Sequence, residues 1–175
     1  LQTLGGSATV PVAAHSFNGV AVKYDIRLES SLSCRPLAVV RRRAGASELS
    51  KVVPEACGVV WNALRAKQIK GGRLVAVYLD GQINLEVGVE VDAPFAGDGD
   101  VVASSLPTGT VATTTHLGPY HKLGGAHRAI CDWCSANGHA LAGPNWEIYG
   151  HWMPEWNDDP SGIRTDVYYL LKTSG

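Results

Sequence analysis

Two stretches of this chain match each other position by position. Leu74-Val75-Ala76-Val77-Tyr78 aligns with Asn145-Trp146-Glu147-Ile148-Tyr149, and each follows a helical segment and a glycine-containing turn. Trp61 and Trp133 stand at similar offsets upstream, on the two helical segments. Around this correspondence both halves carry the same order of strand, helix, strand, strand. A chain of 175 residues suffices for one good core, but neither half can bury its own helix and sheet with much margin. The halves are therefore expected to pack as a pseudo-symmetric pair. The fold this implies is α+β, with duplicated βαββ modules, a pseudo-two-fold antiparallel sheet, one long helix per half and a central cleft. Half one spans about 37–92 and half two about 109–172, inside a single domain over 20–175. The first 19 residues, rich in Gly, Ser, Ala and Thr, are expected to be poorly ordered.

The individual elements follow from period. Val20, Val22, Tyr24, Ile26 and Leu28 alternate with polar or small residues, the pattern of a half-buried strand. A second strand starts at Leu37 and ends in the arginine run 41–43. Leu49, Val52, Val53, Ala56, Val59, Val60, Ala63 and Leu64 form an apolar helical stripe within Ser47–Lys67. Proline is disfavoured inside a helix, so the main helix is expected to begin at Pro54. Gly58 lowers helix stability by roughly 1 kcal/mol relative to alanine, so a packing reason for it is expected. Gly71-Gly72 closes this unit. Strands at 74–79 and 83–91 are joined by Asp80-Gly81, a hairpin signal. Asp92–Pro107 carries no periodicity and reads as the connector between halves. The second half then offers a strand at 110–116 and a helix with Leu123, Ala126, Ile130 and Trp133 on one stripe. Asn137-Gly138 stops that helix, and strands follow at 146–152 and 164–172.

Composition narrows the function. Apolar residues make up 45% and charged residues 18%, which describes a globular chain. A net charge of −1 argues against direct nucleic-acid binding or attachment to anionic membranes. No apolar run is long enough to span a bilayer. Arg41-Arg42-Arg43 reads as the solvated end of a strand. Four cysteines make no dense disulfide framework, so a reduced, cytoplasmic location is expected. Cys131 and Cys134 have redox spacing, but they fall mid-helix without a thioredoxin-like βαβ around them. The histidines at 116, 121, 127, 139 and 151 show no i, i+4 metal pattern, so neither metal nor cofactor is expected.

The strand after Gly143-Pro144 holds the candidate site. In a pleated strand Trp146, Ile148, Gly150 and Trp152 share one face, while Glu147, Tyr149 and His151 share the other. The first face is greasy and reads as core. The second offers an anion flanked by aromatics, suited to a flat organic cation. A carboxylate in an apolar cleft costs several kcal/mol unless a cation or hydrogen-bond donors compensate it. Tyr and Trp faces add about 0.5–2 kcal/mol each through cation–π contact. The alternative reading is a strand carboxylate paired with arginine or exposed at an edge. Tyr78 and Tyr149 are expected to approach the shared cleft from opposite sides. Only the second half supplies an acid there, because Ala76 matches Glu147.

Gly109-Thr110-Val111-Ala112, His116-Leu117-Gly118-Pro119-Tyr120, Gly143 to Tyr149 and Arg164 to Leu171 together resemble the GyrI-like small-molecule-binding domain. That domain is also the effector-binding module of bacterial multidrug-responsive transcription activators. The resemblance implies a hydrophobic cleft accepting bulky aromatic cations, with Glu147 as the acid within it. Gly118-Pro119-Tyr120 would help form the rim. Ligand-binding candidates are Glu147, Tyr149, Tyr78, Tyr120, Trp152, Trp156 and Tyr168. The segment after Tyr149 is richer in tryptophan than the family's usual acidic-proline loop. The activators' helix-turn-helix has no counterpart in this sequence, so a stand-alone ligand domain or a fragment of a longer regulator is expected. The implied partners are a hydrophobic or cationic aromatic molecule and a fused or separate DNA-binding domain. A second function would be hydrolysis of cyclopropane-bearing alkylating natural products, with Glu147 as the catalytic residue that positions or activates water. A third would be a gyrase-inhibitor-like interaction with a topoisomerase.

Overall fold

A computed structural model describes residues 23–30, 33–80 and 84–173. The expected disorder of residues 1–19 and the strand positions Val20 and Val22 lie outside the described residues, as do Gly81 and Ile83 of the hairpin.

The elements run β1 (Arg27–Glu29), β2 (Pro36–Arg43), α1 (Leu49–Ala66), β3 (Gly71–Tyr78), β4 (Asn84–Val91), β5 (Val101–Ser105), β6 (Val111–Leu117), α2 (Gly124–Ala136), β7 (Leu141–Tyr149) and β8 (Arg164–Leu171). Short 3₁₀ turns cover Tyr120–Lys122, Pro154–Asn157 and Pro160–Gly162. The eight strands form one sheet in the order β1-β6-β8-β7-β3-β4-β2-β5, every pairing antiparallel. The two βαββ modules, β2-α1-β3-β4 and β6-α2-β7-β8, are therefore joined side by side along β3 and β7. This is a duplicated α+β fold.

Several boundaries differ from expectation. α1 begins at Leu49, with Pro54 inside it. Proline at this sixth position removes only the bond to the Ser50 carbonyl, and Leu49, Val52 and Val53 still pack on the sheet. Packing of that first turn outweighs the missing bond. Gly58 has no packing role, since an added Cβ would meet nothing within 4 Å. Gly71-Gly72 opens β3 instead of ending the helical unit, and the Trp61 ring lies where a Cβ on Gly71 would be. The stretch read as a connector contains β5, which pairs with β2 at the sheet edge. Five residues with alternate ones exposed leave too short a pattern to read. The alternation at 24–28 yields only the three-residue β1, and Tyr24 and Ile26 pack against the α2 cluster instead. β7 covers 141–149 and stops before Trp152.

One face of the sheet carries both helices. Ala56, Cys57, Val60 and Leu64 of α1 pack on Ala38, Val40, Ala76, Leu85, Val87 and Val89. Ala126, Ile130 and Cys134 of α2 pack on Ala112, Val167 and Leu171. The other face has no helix, yet Leu37, Val39, Val75, Val77 and Trp146 on it are fully buried. Chain length explains this. Ser105 at one edge strand and Val111 in the second strand from the opposite edge are six residues apart, a reach of about 21 Å at most. Six strand spacings in a flat sheet span about 29 Å. The sheet has to curl, and its helix-free face fills the inside of the curl. Leu106 on the closing segment belongs to that buried cluster.

Candidate functional site

β7 lies between β3 and β8, so its side chains are flanked on both sides. Glu147 is the register partner of Ala76 on β3 and of Val167 on β8. Directly opposed residues point to the same face, which places Glu147 on the helix side, at the seam between the ground covered by α1 and by α2. Gly143 at φ +119° and a register shift between Leu141 and Asn145 set the strand's phase at its entry. Neither lateral neighbour can pair with a charge. Glu147 is nevertheless only 5% exposed.

Its partners come from diagonal positions and from α2. Tyr78 and Tyr169 both lie opposite Asn145, one on each flanking strand. The Tyr78 hydroxyl donates to Glu147 Oε2 at 3.3 Å, and the Tyr149 hydroxyl donates to the same oxygen. His127 Nε2 stands 2.7 Å from Oε1, so its N–H donates to the carboxylate. The other ring nitrogen, Nδ1, lies 2.9 Å from the Tyr169 hydroxyl. Tyr120 meets Tyr149 edge to face, with ring centroids 5.7 Å apart. Four tyrosines and one imidazole thus surround a single carboxylate.

Burial governs the titration of this group. It pushes the Tyr149 and Tyr78 phenols well above their ordinary range, with the charge of Glu147 as the second cause in each. Tyr120 and Tyr169 are raised by the same first cause. The Cys57 thiol of α1, which faces this cluster, is pushed up to about 11 by burial. All five stay neutral near pH 7, as hydrogen-bond donors and ring walls.

The other expected site residues are elsewhere. Tyr168 lies on the opposite face of the sheet, stacked on Trp146 at 5.4 Å and 7°. Trp152 is 52% exposed beyond the end of β7 and meets Trp156 edge to face at 5.6 Å. Trp156 packs over Gly150 and Gly162. Among the described residues no hydrogen bond joins either tryptophan to Glu147, and the ring partner of each is the other. The sequence reading missed His127 and Tyr169. For His127 a signal existed: it sits four residues after Leu123 and three before Ile130, a polar residue at a phase belonging to the buried stripe. For Tyr169 the signal was alternation on β8, which groups it with Thr165, Val167 and Leu171, while Tyr168 falls with Arg164 and Asp166.

Two open cavities occur away from this cluster. One of about 530 Å³ is lined by Tyr24, His116, Lys122 and Arg128, and the other, of about 510 Å³, by the arginine run and Asp80. Neither is lined by Glu147. Among the described residues no group of three His, Cys, Asp or Glu could hold a metal, and no helix is long and apolar enough to cross a membrane.

A duplicated βαββ sheet with one helix per half on the same face defines a class of α+β domain. The chain belongs to the family described as the GyrI-like small molecule binding domain, whose model it matches over residues 35–172, and small-molecule binding is that family's function. Among solved structures it is similar to the EcmrR C-terminal domain, with a TM-score of 0.72 and 19% identity, covering 86% of this chain and 99% of that one. It is also similar to EcmrR in its DNA complex, with a TM-score of 0.71 and 19% identity over 86% of this chain, though it spans only 58% of that protein. A third similar structure is SAV2435 bound to tetraphenylphosphonium, with a TM-score of 0.55 and 11% identity, covering 86% of this chain and 94% of that one. At these identities the likeness shows the fold alone. No curated protein matches the sequence.

Proposed function

We propose that this domain binds hydrophobic organic cations, with Glu147 as counter-charge and Tyr78, Tyr120 and Tyr149 as aromatic walls. One observation carries the reading: a carboxylate 5% exposed, flanked laterally by Ala76 and Val167, with no lysine or arginine paired to it among the described residues. Tyr78, Tyr149 and His127 hydrogen-bond this carboxylate, but none of them is a permanent cation, so an incoming cation adds a charge attraction that they lack while the ring faces add to it. The fold shared with a protein that holds tetraphenylphosphonium supports the same ligand class. Tyr120, 45% exposed and in contact with Tyr149, marks the side from which a guest would enter by displacing rings. A DNA-binding segment, fused or separate, would read the occupancy of the site, as the EcmrR–DNA complex suggests by analogy.

The test is calorimetric titration with tetraphenylphosphonium and with neutral triphenylphosphine oxide, which keeps three of the four phenyl rings and carries no net charge. The cation is expected to bind at least tenfold tighter, about 1.4 kcal/mol. Glu147→Gln should remove that preference while leaving the neutral analogue unaffected. Equal affinities for both molecules in the unmodified chain would refute the reading.

A further inference from the structure

We propose that His127 is the resident counter-charge of Glu147 and that a cationic guest is admitted by proton exchange, the His127–Glu147 pair giving up a proton to solvent as the cation arrives. This rests on the reading of Glu147 as counter-charge and adds to it a specificity device that selects for permanent cations.

The geometry gives three reasons. First, among the described residues the imidazole is the one group in contact with Glu147 that can carry positive charge, 2.7 Å from Oε1. Second, its far nitrogen faces a hydroxyl, at 2.9 Å, and a hydroxyl can donate or accept. With a neutral ring, Nε2–H donates to Glu147 and Tyr169 donates into Nδ1. With a protonated ring, Nδ1–H donates to the Tyr169 oxygen instead. Hydrogen bonding is complete in both states, so losing the proton leaves no buried polar atom unpaired, a defect that would cost about 1–3 kcal/mol. Third, the imidazole side chain is 22% exposed while the carboxylate side chain is 7% exposed, so the proton has a route to solvent that the acid itself lacks.

The surroundings leave this exchange to the pair. Facing it are Tyr78 from β3, Tyr149 from β7, Tyr169 from β8, Tyr120 from the turn before α2 and Cys57 from α1. Burial raises all of them further above the neutral range. Cys131 and Cys134, on the same helix as His127, stand beside Tyr169, and Cys134 is raised as well. Histidine is the side chain whose charge ordinarily changes between about pH 5 and 8. A guest cation and an imidazolium at one carboxylate repel each other, and the mobile charge is the proton. By linkage, a guest that expels a proton binds more tightly as pH rises, by up to tenfold per unit where one full proton is released.

The experiment is calorimetry of the full chain with tetraphenylphosphonium at about pH 6 and about pH 8, each in two buffers of different ionisation enthalpy. The buffer dependence of the heat counts protons. Release of a measurable fraction of one proton is expected, with affinity rising toward the higher pH and triphenylphosphine oxide showing neither effect. His127→Gln keeps an N–H donor for Glu147 and should bind the cation without proton release. Equal heats in both buffers for the unmodified chain, or release that persists in His127→Gln, would overturn the proposal. If the cation preference holds while no proton is released, only this proposal falls. If tetraphenylphosphonium fails to bind, or binds no better than its neutral analogue, the counter-charge reading falls and takes this with it.

Discussion

Ala76 and Glu147 face each other across the β3–β7 seam, equivalent positions of the two halves brought into register. The duplication supplied two copies of this position, and only one carries charge. The methyl group of Ala76 is fully buried beside the acid, and that asymmetry lets one carboxylate exist there.

Ala76→Glu should therefore destabilise the domain severely. Two carboxylates in register at a buried seam cannot both ionise cheaply, and alanine's space must also accept the Cγ, Cδ and two oxygens of the longer side chain. A loss of about 3–5 kcal/mol is expected, read as a fall in the urea midpoint at unchanged slope. A variant as stable as the parent would show that the seam is wetter than the structure indicates.

Two glycines should respond in opposite directions to the same substitution. Gly88→Ala would place a Cβ 1.9 Å from the Ala38 carbonyl oxygen, a contact between backbones that no rotamer relieves. Strand glycine here permits close approach of β2 to β4, and the substitution should lower Tm by about 10 °C or more. Gly58→Ala adds a methyl to an exposed helical surface where nothing lies within 4 Å. It should raise stability by about 0.5–1 kcal/mol. Thermal melts of both variants decide the matter.

Tyr149→Phe and Tyr168→Phe make a matched pair on adjacent strands. The first removes a donor from a buried carboxylate and should cost about 1–3 kcal/mol of stability, with weaker cation binding. The second keeps its stack on Trp146 and faces away from Glu147. Cation affinity in Tyr168→Phe should equal that of the parent within twofold. A larger loss there than in Tyr149→Phe would relocate the site to the inner face of the sheet.

Stability should decline in alkali. Cys57 is raised from an ordinary value near 9.0 to about 11 by burial. The unfolded thiol loses its proton first, so between those values the unfolded state binds fewer protons and folding is progressively disfavoured. The contribution is whole below pH 9 and lost as pH passes 11. The raised phenols of Tyr78, Tyr149 and Tyr169 act in the same sense at higher pH. Tm should fall between pH 8.5 and 10.5, with a smaller fall in Cys57→Ala. Thiol reagents at neutral pH should modify exposed Cys34 well before Cys57.

The charge-carrying position was legible because β7 has a short-range logic. Alternation from Trp146 to Tyr149 puts the acid and Tyr149 on one face whatever the strand packs against. The same logic failed past the strand end: parity was extended to Trp152, but β7 ends at Tyr149 and the chain leaves the sheet at Gly150. On β8 the same alternation groups Tyr169 with Val167 and Leu171 and Tyr168 with Arg164 and Asp166. It separates the two tyrosines, but which of the two faces meets the acid depends on the register with β7.

From the sequence alone came the duplication, the two amphipathic helices and the phase of Glu147, all of which rest on contacts between residues near in the chain. Tertiary structure alone decided that Tyr169 and an imidazole from α2 join Tyr78 and Tyr149 around the acid, that Tyr168 stays on the other face, and that the short run 106–110 makes the sheet curl. These depend on register between strands and on the placement of a helix across the sheet. Such relations join residues far apart in the chain, Glu147 with His127 at 20 positions and with Tyr78 at 69 among them, and no local periodicity encodes them.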